Sequence, residues 1–178
     1  AWGVLPPIAK LSHRASIYHF LSGYTSKLAG TERGVITPTA TFSAYFGAPF
    51  MPLKPNVYAN LLKYYLDKHK STVYLVNTGW VGGAYGVGKR ISIKDTRAIV
   101  RAALSGNITE NFRKDLIFNF SVPVEVPGVK SEIMNPRDQW GDKNEYDKKA
   151  HELASLFIQN FTKFKNIPKE IVNSGPTL

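Results

Sequence analysis

Five glycines fall within the ten positions from Gly79 to Gly88, and no other stretch limits the fold of this chain so strongly. Glycine loses more backbone freedom on ordering than any other residue, so a run this dense opposes both helix and strand. The flanks differ in kind. Val73 to Val76 is short, apolar and rich in β-branched and aromatic residues, as strands are. After the glycines come two fixed positive charges, Lys89 and Arg90. A helix pattern follows, with Ser92 or Asp95 as N-cap, Ile99, Val100, Ala103 and Leu104 as its apolar face, and Gly106 at C′. Strand, glycine loop, basic pair and helix start form a common arrangement for holding a nucleotide or another anion. A flexible surface hairpin has the same composition.

The spacing also matches most of a phosphate-binding loop, because Gly83, Gly88 and Lys89 satisfy G-x-x-x-x-G-K. The next residue is Arg90, where that motif needs a Ser or Thr hydroxyl to ligate magnesium. The predicted helix also starts several residues too late for its N-terminus to cradle phosphates. As a P-loop, the stretch fails.

The 178 residues suit one ordinary domain or a large piece of something bigger, and 43% hydrophobic with 20% charged residues can build a core. No apolar run approaches the roughly 20 residues that span a bilayer. The start AWGVLPPIAKL has no leading basic region and is broken by Pro6 and Pro7, so no secretory signal is expected. Cysteine is absent, which removes disulfides, thiolate nucleophiles and zinc-thiolate clusters and permits a reducing compartment. The net charge of +10 raises nucleic-acid binding, yet the Lys and Arg residues are scattered and no zinc finger or RNP aromatic pair appears. Positive charge serves phosphates and dicarboxylates equally well. The abrupt apolar beginning, without an initiator methionine, reads as the interior of a larger protein.

Along the chain, the periodicity predicts a first helix over about Ala15 to Leu28, with Ile17, Phe20, Leu21, Tyr24 and Leu28 on one face. His19 lies one residue off that face, and structural use is the commoner fate of a lone histidine there. Lys27 to Ala40 (KLAGTERGVITPTA) reads as an irregular segment with Glu32 and Arg33 at its centre, either a solvated loop or an active-site lid. A short strand or packed turn over Thr39 to Phe46 precedes a connector containing Pro49, Pro52 and Pro55. Pro55 opens a helix to about His69, with Tyr58, Leu61, Leu62, Tyr65 and Leu66 at helical spacing. Leu116 to Val129 reads as an edge strand around Pro123 and Pro127. Asn135 to Trp140 is a turn with a possible Arg137–Asp138 contact. A last helix covers about Tyr146 to Phe164, with Leu153, Phe157, Phe161 and Phe164 on its core side. The alternation is that of an α/β architecture with too few strands for a self-sufficient sheet. The histidines at 13, 19, 69 and 151 show no metal-ligand spacing.

Three long stretches, YHFLSGYTSKLAGTERGVITPTATFSAYFGAPF, YLVNTGWVGGAYGVGKRISIKDTRAIVRAALSG and VPGVKSEIMNPRDQW, closely resemble the C-terminal part of ATP-dependent phosphoenolpyruvate carboxykinases. The likeness covers nearly the whole chain. It implies the C-terminal mononucleotide-binding lobe of that α/β fold, an incomplete sheet with flanking helices. The implied reaction is gluconeogenic: oxaloacetate and ATP give phosphoenolpyruvate, ADP and CO₂, with Mg²⁺ on the nucleotide and a second ion, typically Mn²⁺. The family's phosphate loop, metal ligands and oxaloacetate-binding arginines would lie before Ala1, in an N-terminal part that is the chain's first partner. No catalytic or metal-binding residue is therefore expected within positions 1–178, and this piece alone should be inactive.

The resemblance places the adenine side of the ATP site within about 77–97, on Arg90, Ile91 and Thr96. It places a mobile lid at about 27–39, using Lys27, Gly30, Thr31, Glu32, Arg33 and Gly34. A cytoplasmic setting, no membrane and no nucleic acid complete the implied picture. A stand-alone nucleotide-binding module and a basic nucleic-acid-binding domain are the other readings. Two departures stand out: Tyr45 lies where many relatives have a small cysteine, and VGGAYGV is longer than in some bacterial relatives.

Overall fold

The computed structural model describes residues 1–27, 34 and 36–178. Their order begins with strand β1 (Ile8–Leu11), helix α1 (His13–Ser22), strands β2 (Tyr24–Lys27) and β3 (Thr39–Phe42), and helix α2 (Pro55–His69). Strands β4 (Val73–Val76), β5 (Trp80–Val81) and β6 (Lys89–Arg90) lead into helix α3 (Ile93–Ser105). Strands β7 (Phe112–Lys114) and β8 (Ser121–Pro123) precede helices α4 (Pro136–Gln139), α5 (Lys143–Phe161) and α6 (Lys169–Val172). This is the expected mixed α/β class, with small sheets and flanking helices. The contacts divide the chain into two compact units, Ala1–Lys10 with Tyr74–Leu153, and Leu11–Val73 with Ala154–Leu178.

In the first unit the sheet order is β4-β1-β8-β7, and β8 runs antiparallel to both of its neighbours. Ile8 from the sheet and Ile99 from α3 are fully buried in a core with Ala102, Ile108, Val126 and Met134. The helix begins where Ser92 accepts a hydrogen bond from the Asp95 amide and ends at Gly106 in the left-handed region, so both predicted caps are present. Its predicted apolar face is corrected: Ala102 is buried in place of Val100 and Leu104, and Leu104 is 84% exposed. The predicted strand over Leu116–Val129 is also corrected. Asp115 Oδ1 accepts from the amides of Ile117 and Phe118, folding the chain into a turn that leaves only Ser121–Pro123 extended. That strand lies inside the sheet, not at its edge. Pro123 is tolerated because the register with β1 falls at Lys10↔Ser121, while Pro123 faces Phe112 on β7. Arg137 bonds both oxygens of Asp147 at 2.8 and 2.9 Å, not Asp138, which accepts from Asn135 instead.

In the second unit Ser12 caps α1 and Gly23, left-handed at φ 57°, ends it. The predicted helix to Leu28 therefore stops six residues early; Leu28 itself lies outside the described residues. Tyr24–Lys27 instead forms β2, paired with β3 from Tyr24↔Phe42 to Lys27↔Thr39. An aromatic core surrounds the helix: Tyr18 stacks on Phe161 at 4.0 Å between centroids, and Phe157 meets the rings of His19, Tyr24 and Phe42 at 5.0–5.4 Å. Helix α5 begins at Lys143 and ends at Phe161, not at Phe164; Phe157 and Phe161 are buried here as predicted, as is Leu153 in the first unit, while Phe164 lies past the helix and is half-buried. The chain's last turn comes so close that a Cβ on Gly175 would lie 2.3 Å from two ring carbons of Tyr18. Helix α2 has the predicted bounds; of its predicted stripe Leu66 is buried and Tyr58 and Leu62 are half-buried, Ala59 is buried as well, and Leu61 and Tyr65 are about half exposed. Tyr45 and Phe46 both take left-handed backbone angles, φ 59° and 61°. The Tyr45 ring sits against Phe20 and Tyr58. Among the described residues no helix is long and apolar enough to cross a membrane.

Candidate functional site

The glycine stretch is a short hairpin. Strands β5 and β6 are two residues each and antiparallel, with registers Trp80↔Arg90 and Val81↔Lys89. Between them the chain turns through Gly82, Gly83 and Gly86, all at positive φ. At its neck a Cβ on Gly88 would stand 2.1 Å from the Gly83 carbonyl oxygen, an approach only glycine permits. Gly88 and Val87 donate amides to the Ala84 carbonyl, closing the turn.

Asn77 secures the hairpin's base. Its amide donates to the Pro7 carbonyl, its side-chain Nδ2 donates to the Leu5 carbonyl at 3.0 Å, and its Oδ1 accepts from the Gly79 amide at 2.8 Å. The Gly79 carbonyl accepts in turn from the Ile91 amide. Backbone at both ends of the hairpin is therefore fixed against the β1 side of the first unit.

Arg90 leaves this frame exposed, yet held. Its Nε donates to the Thr78 carbonyl at 3.1 Å, and its guanidinium carbon lies 5.5 Å from the Trp80 ring centroid. Tyr85 meets the same indole edge-on at 5.5 Å and 84°. Ile91 is buried, at 7% exposure, and so forms a floor more than an open apolar face. Thr96 is half-buried on the first turns of α3, its amide donating to the Ser92 carbonyl. Asp95 accepts from the Ser92 hydroxyl at 2.6 Å, which occupies that hydroxyl within the helix cap. Chemically the segment offers a delocalised cation, an apolar floor and a hydroxyl within seven residues.

The sequence alone points to Arg90, Ile91 and Thr96 but not to Trp80 or Asn77, which hold the hairpin around them. A signal for Trp80 exists: residues 80 and 90 are equidistant from Tyr85, midway between Gly82 and Gly88, as partners across a hairpin must be.

Other expected positions lie elsewhere. Lys27 ends β2, paired with Thr39, and Gly34 has φ 87°. Gly30, Thr31, Glu32 and Arg33 lie outside the described residues. His19 is 4% exposed, and burial pushes its pKa down from 6.5 to about 4, so it is neutral in the second unit's core. His13 pairs with Asp67 at 3.2 Å; hydrogen bonds from Lys63 and His13 hold that carboxyl below its ordinary range. Among the described residues no group of three or more His, Asp or Glu could hold a metal ion.

A glycine hairpin that presents one held arginine ahead of a capped helix is one of the class of arrangements suited to an anionic ligand. The comparisons with known proteins narrow that class. The model of the phosphoenolpyruvate carboxykinase family matches residues 1–132. The chain is similar to the phosphoenolpyruvate carboxykinase (ATP) of Caldanaerobacter subterraneus subsp. tengcongensis, 58% identical over 177 residues, which cover 99% of this chain and 34% of that protein. A second such enzyme, from Moorella thermoacetica, is 55% identical over 179 residues, 100% of this chain and 34% of its own length. That of Thermus thermophilus is also 55% identical over 179 residues, 99% of this chain and 34% of its own. The chain belongs to the phosphoenolpyruvate carboxykinase family, and it spans about a third of the length of these curated relatives.

Proposed function

We propose that this chain supplies the adenine side of the ATP site of an ATP-dependent phosphoenolpyruvate carboxykinase, which turns oxaloacetate and ATP into phosphoenolpyruvate, ADP and CO₂. Family membership supports the reaction, and the held, exposed Arg90 supports the site. In this reading Arg90 stacks on or hydrogen-bonds the nucleotide through its planar guanidinium. Ile91 is the apolar floor beneath the purine, and Thr96 donates or accepts one hydrogen bond at the base or sugar edge. Each group binds and orients; none transfers a proton. The γ-phosphate, oxaloacetate and the divalent ions (Mg²⁺ with the nucleotide, Mn²⁺ beside it) fall to the N-terminal part of the enzyme. The described residues provide no cluster fit for the ions, and no role assigned to this chain passes through a metal. The segment about 27–39 is proposed as the lid on the family likeness alone. Its function would be to keep water from an enolate that a stray proton would turn into pyruvate. A cytoplasmic setting follows from the same family reading.

The test uses the full-length enzyme. A neutral hydrogen bond contributes about 0.5–1.5 kcal/mol and one to a charged group about 1.5–3, while a tenfold affinity change is about 1.4 kcal/mol. Thr96→Val should raise the KM for ATP several-fold and Arg90→Ala about tenfold or more. The KM for oxaloacetate should move far less. Normal ATP kinetics with collapsed oxaloacetate binding would transfer Arg90 to the dicarboxylate.

A further inference from the structure

The hairpin carries an aromatic residue whose placement the nucleotide site does not yet explain. Trp80 lies directly across the β5–β6 ladder from Arg90, so pairing, not chance packing, brings the two side chains together. The guanidinium carbon is 5.5 Å from the indole centroid, within the range in which a cation is attracted to the negative face of the ring. Among the described residues one hydrogen bond holds the Arg90 side chain, from Nε to the Thr78 carbonyl. No carboxylate among the described residues forms a salt bridge with it. A single hydrogen bond leaves a long side chain able to pivot about its donor. The ring removes that freedom, and Tyr85, edge-on to the same indole, restrains the ring in turn. Trp80 is itself half-buried, as a support would be.

We propose that Trp80 is a positioning residue: its indole orients the Arg90 guanidinium for the nucleotide and so sets ATP affinity without contributing to turnover. The inference rests on the adenine-side reading of Arg90. It predicts that removing the ring costs ATP affinity only through Arg90.

The experiment is steady-state kinetics of the full-length enzyme carrying Trp80→Leu, Arg90→Ala and both together. Trp80→Leu should raise the KM for ATP about two- to fivefold, the size of an exposed cation–ring contact, with kcat within about twofold of the parent. Added to Arg90→Ala it should do nothing further. Trp80→Phe, which keeps a ring, should restore most of the affinity. Should Trp80→Leu fold poorly, site-specific replacement of Trp80 by mono-, di- and trifluorotryptophan gives the same answer at constant shape: KM should climb with each fluorine as the ring face loses charge. Multiplying effects in the double variant, or an affinity indifferent to fluorination, would overturn the proposal. A raised KM in Arg90→Ala beside a normal one in Trp80→Leu would overturn it too, leaving the adenine-side reading intact. Normal ATP kinetics in Arg90→Ala would bring down that reading and this inference together.

Discussion

His19 should make the protein measurably acid-sensitive. It is 4% exposed, among the rings of Tyr18 and Phe157, and burial lowers its pKa from 6.5 to about 4. The folded state therefore resists a proton that the unfolded chain accepts near 6.5. The sign follows: this contribution is fully present above about pH 6.5 and is lost as pH falls towards 4. The full loss below both values is about 3 kcal/mol, at roughly 1.4 kcal/mol for each pH unit separating them. Between pH 7 and pH 5 the loss is about 2 kcal/mol by the same linkage. Urea unfolding at half-unit intervals, on the parent and on His19→Gln, isolates the effect, because carboxylates and the other histidines cancel in the difference. The parent's stability should fall relative to the variant by that amount over those two units. Two results would refute the reasoning: parallel curves for the two proteins, or an NMR titration in which the His19 ring charges above pH 6.

Three other outcomes can be checked alongside. Phe157→Ala should lose about 3–5 kcal/mol by urea unfolding, since it removes a fully buried ring that meets three others; a loss under about 1 kcal/mol would contradict the packing. Gly175→Ala should cost about 1–3 kcal/mol, because its methyl would stand 2.3 Å from a buried Tyr18 ring already stacked on Phe161; an unchanged urea midpoint would place that turn elsewhere. Arg137→Met, by contrast, should change stability by less than about 1 kcal/mol, since its bidentate partner Asp147 is itself well exposed, and a larger loss would mean the pair is shielded from water.

What the sequence disclosed and what it withheld divide along physical lines. Local signals were readable: Pro55 at the start of α2, Ser92 and Gly106 at the ends of α3, and the core face of α5 through Leu153, Phe157 and Phe161. Each depends on neighbours within a turn or two. Tyr24 was misread because its apolar side chain continues the helical period, while Gly23 ends the helix by backbone angle alone. Leu116 to Val129 was misread because one carboxylate, Asp115, folds a chain that alternation would extend. Leu61 and Tyr65, exposed beside buried Leu66 and half-buried Tyr58 and Leu62, show the limit of periodicity: it identifies an apolar face but not how much of its width is covered. The basic pair Lys89–Arg90 stands out in the sequence, and Arg90 is exposed at the end of β6. Trp80 leaves only a faint trace, its symmetry with Arg90 about Tyr85, which gains meaning once the glycine run closes.

The left-handed backbone at Tyr45 has a consequence for descent. Holding a residue with a Cβ there costs about 1–2 kcal/mol, and nearly the same for tyrosine as for any side chain but glycine, asparagine or aspartate. Exchanges between a small and a large residue at this position thus leave the backbone term untouched. They are judged only on the ring contacts with Phe20 and Tyr58. Such a site can drift between lineages without disturbing the turn that carries it, and substitutions at its two ring partners should be inherited together with it.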